Sequence, residues 1–233
     1  MKKLIIGLII VVSIFLIYLT TTNKKTYYLS LGDSIAVGIN AYGEKSYGYA
    51  NQVRDYLKEK KDLETYVPDF AKEGYRTTDL INDIKNNREI MIDDKPKTLQ
   101  NALIKTDITT VSIGLNDLLY YLTIDYDHPY NKVNEIMGDM KVLLELLKEY
   151  SKEQIIVLGY YNPLPNHQNK EEIEDIIIYA NQKLKILCND YNVGYVDLYY
   201  LFEDNDYLVN PNNIHPSNEG YRAIADKIIA LIK

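Results

Sequence analysis

Tyr27-Tyr28-Leu29-Ser30-Leu31-Gly32-Asp33-Ser34 is the stretch that decides how this chain is read. A β-prone apolar run ends abruptly in Gly-Asp-Ser, and a helical pattern follows within about a dozen residues. That layout predicts a strand feeding a tight turn, with Ser34 at the lip of a parallel sheet. In open α/β sheets the chemistry gathers at the carboxyl ends of the strands. Gly32 allows a sharp turn where a Cβ would clash. A serine placed there is a candidate nucleophile, provided that a base and oxyanion donors arrive from elsewhere in the chain. The competing reading is a turn serine that caps a helix, because Asp and Ser are favoured in both settings.

Outward from this stretch, strands and helices alternate from Thr26 onward. Strands are predicted at Tyr27–Leu31, Glu64–Phe70, Ile108–Ile113, Ile155–Leu158 and Val193–Leu198, the fourth being the short apolar run expected at the buried centre of a parallel sheet. Helices are predicted over Tyr47–Lys61, from Thr77-Thr78-Asp79 onward and over Lys97–Lys105. Apolar residues at helical spacing predict three more. Val133, Ile136, Met137, Met140, Leu144 and Leu147 mark the first; Ile173, Ile177, Ala180, Leu184 and Leu187 the second; Tyr221, Ile224, Ala225, Ile228 and Ile232 the closing one. Strands alternating with helices imply a parallel sheet covered on both faces, in one domain over residues 26–233.

Composition bounds the rest. The 233 residues are 46% hydrophobic and 25% charged, enough apolar material for one sizeable core. A formal charge of −7 argues against non-specific nucleic-acid binding, which needs clustered Lys and Arg. No Gly-x-Gly-x-x-Gly or Gly-Lys-Ser/Thr phosphate loop is present, so nucleotide binding has little support. The single Cys188 lies in an apolar helical pattern and reads as a small buried hydrophobe. One cysteine makes neither an internal disulfide nor a Cys-based zinc site. No metal or cofactor is expected. Residues 1–25 read as targeting sequence: Met1-Lys2-Lys3, then the uncharged run Leu4–Leu19, then Thr20-Thr21-Thr22-Asn23-Lys24-Lys25. This is a secretory signal peptide or an N-terminal membrane anchor. The lack of an Ala-x-Ala-like cleavage site favours the anchor. Either way the remainder is expected outside the cytoplasm, as a monomer.

Three turn motifs each follow a predicted strand: Gly32-Asp33-Ser34, Gly74 within Ala71-Lys72-Glu73-Gly74-Tyr75-Arg76, and Gly114-Leu115-Asn116-Asp117. A final loop, Asn210-Pro211-Asn212-Asn213-Ile214-His215-Pro216, follows the last strand and can reach the same rim. Read alone, Gly74 is a turn glycine and Asn116 a helix cap. Together the four motifs resemble the SGNH/GDSL hydrolases, serine esterases and lipases on a flavodoxin-like three-layer α/β/α fold with a five-stranded parallel sheet. The named positions of that family match Ser34, Gly74, Asn116 and His215. Tyr160-Tyr161-Asn162-Pro163 also looks like the fourth-strand loop of bacterial lysophospholipase-like members. The resemblance implies that Ser34 attacks an ester carbonyl and that His215 takes its proton and passes it to the leaving alcohol. It also implies an oxyanion hole built from the Ser34 and Gly74 backbone N–H groups and the Asn116 side chain.

One position departs from the pattern. The family usually carries Asp three residues before the histidine, and here that position is Asn212. An amide oxygen can accept from the imidazole but brings no charge. Asp204 or Asp206 could supply the carboxylate, a Ser34–His215 dyad could suffice, or the enzyme could be slow. On this reading Asn212→Asp should raise turnover. His128, in Asp125-Tyr126-Asp127-His128, reads as a solvated loop rather than a metal site. His167 lies after the fourth strand, on the active rim, as a rival base in an exposed Pro-rich loop. The expected substrate is an acyl ester of the lysophospholipid kind. The alternatives are an O-acetyl ester of cell-wall polysaccharide, or a binding module that kept the fold and lost catalysis.

Overall fold

The computed structural model describes residues 25–61, 63–124 and 128–233, so the N-terminal targeting reading and Asp125–Asp127 lie outside the described residues. Five strands form one parallel sheet: β1 (Thr26–Gly32), β2 (Leu63–Val67), β5 (Ile108–Ser112), β6 (Gln154–Leu158) and β7 (Gly194–Val196), in the order β2-β1-β5-β6-β7. The five predicted strands are all present, and β2 stops at Val67 because Pro68 follows it. β5 is buried along its whole length, as a central strand between two helical layers must be.

Helices cover both faces. α2 (Tyr49–Lys60) packs with the closing helix α9 (Asn218–Ile229) on one side. α3 (Thr77–Lys85), α6 (Pro129–Tyr150) and α7 (Lys170–Asp190) pack together on the other. The predicted apolar stripes face inward: Met140, Leu144 and Leu147 of α6 and Ile177, Ala180 and Leu184 of α7 are fully buried. Cys188 is buried as expected, and burial pushes its thiol up to about 12. Among the described residues no helix is long and apolar enough to cross a membrane.

Part of the predicted helix Lys97–Lys105 is instead sheet. β3 (Glu89–Ile92) and β4 (Lys95–Thr98) form an antiparallel hairpin, and only Leu99–Lys105 is helical, as α4. Asp93 and Asp94 make the two-residue turn at φ 50 and 57, the left-handed pair that a tight hairpin needs. Besides this hairpin, three helices among the described residues were not predicted: α1 (Ser34–Val37), α5 (Leu115–Ile124) and α8 (Tyr199–Glu203). The first two begin at the Gly-Asp-Ser and Gly-Leu-Asn-Asp turns, so each motif is both the end of a strand and the start of a helix.

Candidate active site

β1 and β5 run side by side in register, with Gly32 opposite Ser112. The approach is close enough that a Cβ on Gly32 would lie 1.8 Å from the Ser112 carbonyl oxygen, and φ is 128°. Only glycine fits both conditions. The chain then turns, Asp33 N–H donates to Ser112 O at 2.9 Å, and Asp33 caps α1 by accepting from Ile35 N–H at 3.0 Å. Ser112 Oγ donates to the same Asp33 oxygen at 3.1 Å. Asp33 is nearly inaccessible, and loss of solvent raises its carboxyl from 3.8 to about 7 despite these bonds. Ser34 is thereby fixed as the first residue of a helix, where its own N–H has no intrahelical acceptor.

The loop after β2 comes to the same rim. Lys72 N–H donates to Gly32 O at 2.9 Å, and Tyr75 N–H closes a β-turn onto Lys72 O at 3.3 Å. Gly74 holds the third position of that turn at φ 73, which favours glycine. Nothing lies within 4 Å of where its Cβ would be, so backbone conformation, not crowding, selects glycine here. From the turn after β5, Asn116 Nδ2 donates to Tyr75 O at 2.9 Å. That bond ties the asparagine to the Gly74 turn and leaves its second N–H to donate elsewhere. Asp117 accepts from Thr77 N–H at 2.9 Å and Thr77 Oγ1 at 3.1 Å, which locks α5 to the start of α3. Burial raises the Asp117 carboxyl above its ordinary range.

The final loop completes the rim. His215 Nε2 lies 2.8 Å from Ser34 Oγ, a contact across 181 residues of sequence. His215 is half-buried, and desolvation lowers its pKa from the ordinary value, an effect that the negative charge of Glu73 partly offsets. The loop is held from behind: Tyr161 Oη donates to Ile214 O at 2.7 Å, and Asn210 Nδ2 donates to Ala41 O at 2.7 Å.

The structure therefore brings Ser34 and His215 into contact at one rim, with Gly74 and Asn116 joined to each other through Tyr75. It does not bring Asn212 to the imidazole. Asn212 is exposed, and its backbone N–H donates to Asn210 Oδ1 at 3.1 Å. The partner of His215 Nδ1 is Asn213, whose Oδ1 lies at 2.5 Å. Asp204 and Asp206 line a separate cleft with Glu174, Tyr199 and Glu203. His167 is exposed, accepts from Asn169 N–H at 3.2 Å and faces a cleft of about 280 Å³ bordered by Leu208, Asn212 and Ile214. His128 precedes α6 at φ 59. The sequence reading missed Asn213, because the family spacing drew attention to its neighbour.

A parallel sheet of this strand order, with a serine and an imidazole in hydrogen-bond contact at its carboxyl rim, defines the class as the SGNH-type hydrolase fold. A family model described as the GDSL-like Lipase/Acylhydrolase family matches residues 30–223. The chain belongs to that family and is a carboxylic ester hydrolase. It is 27% identical to the spore germination lipase LipC of Bacillus licheniformis over 215 residues, covering 87% of this chain and 94% of the relative. It is 24% identical to the uncharacterized protein YpmR of Bacillus subtilis over 231 residues, covering 92% and 84%. Among solved structures, the lipase Lip_vut3 from a goat rumen metagenome superposes with a TM-score of 0.73 at 24% identity, covering 88% of this chain and 97% of that one. Axe2, an acetylxylan esterase from Geobacillus stearothermophilus, gives 0.64 at 19% identity, covering 90% and 95%.

Proposed function

We propose that this chain hydrolyses acyl esters through a Ser34 nucleophile and a His215 general base. The observation that carries the reading is the 2.8 Å contact between Ser34 Oγ and His215 Nε2. Ser34 Oγ attacks the ester carbonyl carbon as its proton passes to Nε2. The tetrahedral oxyanion is received by the Ser34 and Gly74 backbone N–H groups and by the free N–H of Asn116, and losing one such donor costs about 10²–10³ in turnover. Collapse expels the alcohol, which takes the proton from Nε2, and water then releases the acid by the same steps in reverse. The lowered pKa of His215 keeps its imidazole neutral, as a base must be, at pH 7.

The substrate reading is a lysophospholipase-like one, supported by the resemblance of the Tyr160-Tyr161-Asn162-Pro163 loop. A second reading, an O-acetyl ester of cell-wall polysaccharide, is supported by the likeness of the fold to the acetylxylan esterase Axe2. A fluorophosphonate probe tests the chemistry: it should label the folded protein on Ser34, and Ser34→Ala should abolish labelling. An unlabelled, folded wild-type chain would instead indicate a binding module. Rates on p-nitrophenyl acetate, longer acyl esters and lysophosphatidylcholine rank the substrates.

A further inference from the structure

A serine hydrolase ordinarily orients its imidazole with a carboxylate, and here the atom on the imidazole belongs to an amide. Asn213 Oδ1 lies 2.5 Å from His215 Nδ1 and accepts from the His215 backbone N–H at 2.9 Å. One oxygen thus grips the histidine at two points, in a side-chain turn that spans only two residues. With Oδ1 as the acceptor, Nδ1 carries the ring proton and Nε2 offers its lone pair to Ser34. We propose that Asn213 is the positioning residue of the Ser34–His215 pair, an uncharged substitute for the usual triad acid. This rests on the esterase reading of those two residues.

The loop around Asn213 is built to hold it. Asn213 N–H donates to Asn210 O at 3.0 Å, Asn210 is tied to Ala41, and the next carbonyl along, that of Ile214, is tied to Tyr161. Among the described residues no carboxylate near the imidazole duplicates the role. Asp33, beneath α1, spends its oxygen on Ile35 and Ser112. Glu73, in the loop after β2, acts on the imidazole through its charge. Asp204 and Asp206 belong to another cleft. An amide fixes the tautomer as an acid does, but it does not stabilise the imidazolium that forms as Ser34 attacks. The consequence is a trade: the base stays neutral to lower pH than an acid-paired histidine would, and turnover at its plateau is lower.

The test is the pH profile of kcat/KM on p-nitrophenyl acetate for the full chain and its Asn213→Ala, Asn213→Asp and Asn212→Asp variants, with fluorophosphonate labelling in parallel. Asn213→Ala should lower kcat about 10- to 100-fold with little change in KM, the weight of one hydrogen bond to a group that becomes charged. Asn213→Asp keeps both acceptor contacts and adds charge, so it should raise kcat about tenfold and move the acid limb to higher pH. The ¹⁵N resonances of His215 should show Nδ1 protonated in the wild type and in Asn213→Asp, with that preference lost in Asn213→Ala. If Asn213→Ala fails to fold, Asn213→Asp decides alone. A profile that Asn213→Asp leaves in place, or that Asn212→Asp moves further, overturns the assignment. Absence of labelling in the folded wild type overturns the esterase reading beneath it, and the two failures are thereby distinguished.

Discussion

Asp33→Asn tests whether the residue beside Ser34 is held at a cost. The Asp33 side chain is sealed between the ends of β1 and β5, and burial raises its carboxyl from 3.8 to about 7. The native state therefore holds this proton more tightly than the unfolded chain does. Below about pH 4 both states are protonated and the residue is neutral in its effect. As pH rises from about 4 to about 7, the unfolded chain releases its proton first, so stability falls by about 1.4 kcal/mol per pH unit, to a total of about 4 kcal/mol. An asparagine in the same rotamer keeps the oxygen that accepts from Ile35 N–H and Ser112 Oγ. It does not ionise, but its buried NH₂ lacks a carboxylate's tolerance for that site, which costs about 1–3 kcal/mol. The expected outcome is a variant more stable than wild type by about 1–3 kcal/mol at pH 8, with the order equal or reversed at pH 4. Guanidinium unfolding followed by circular dichroism at unit steps from pH 4 to 9 measures the difference. A difference that does not vary across that range would refute the reasoning, since no differential proton uptake would then exist at this position.

Two further changes probe the rim's supports. Gly32→Ala should destabilise by about 3–5 kcal/mol, since a Cβ 1.8 Å from Ser112 O forces β1 and β5 apart, and an unchanged melting temperature would contradict that contact. Tyr161→Phe removes the 2.7 Å donation to Ile214 O, so it should cost about 1–2 kcal/mol in stability and lower kcat more than it changes KM. An unaltered kcat in that variant would mean that the His215 loop holds its shape without the tyrosine.

Much of this was legible in the chain. The sheet was readable because apolar, β-branched runs such as Ile108–Ser112 and Gln154–Leu158 end at turn residues, and burial on both faces removes the alternation that would otherwise blur them. The β3–β4 hairpin was not, because its turn is Asp93-Asp94 and carries no glycine to announce two left-handed residues. α5 is hidden because it begins inside Gly114-Leu115-Asn116-Asp117, whose glycine and asparagine signal a turn. At the site, Ser34 is readable as a residue at a strand end and His215 as one in the loop that follows the last strand. Asn213 is not, because which of two adjacent asparagines reaches the imidazole depends on a side-chain turn, and linear spacing does not encode it.

β1 enters at Thr26 and delivers Ser34 just beyond its far end, after seven residues that extend about 23 Å. The strand's entry and the Ser34 hydroxyl therefore lie at opposite edges of the sheet, floor and ceiling of one slab.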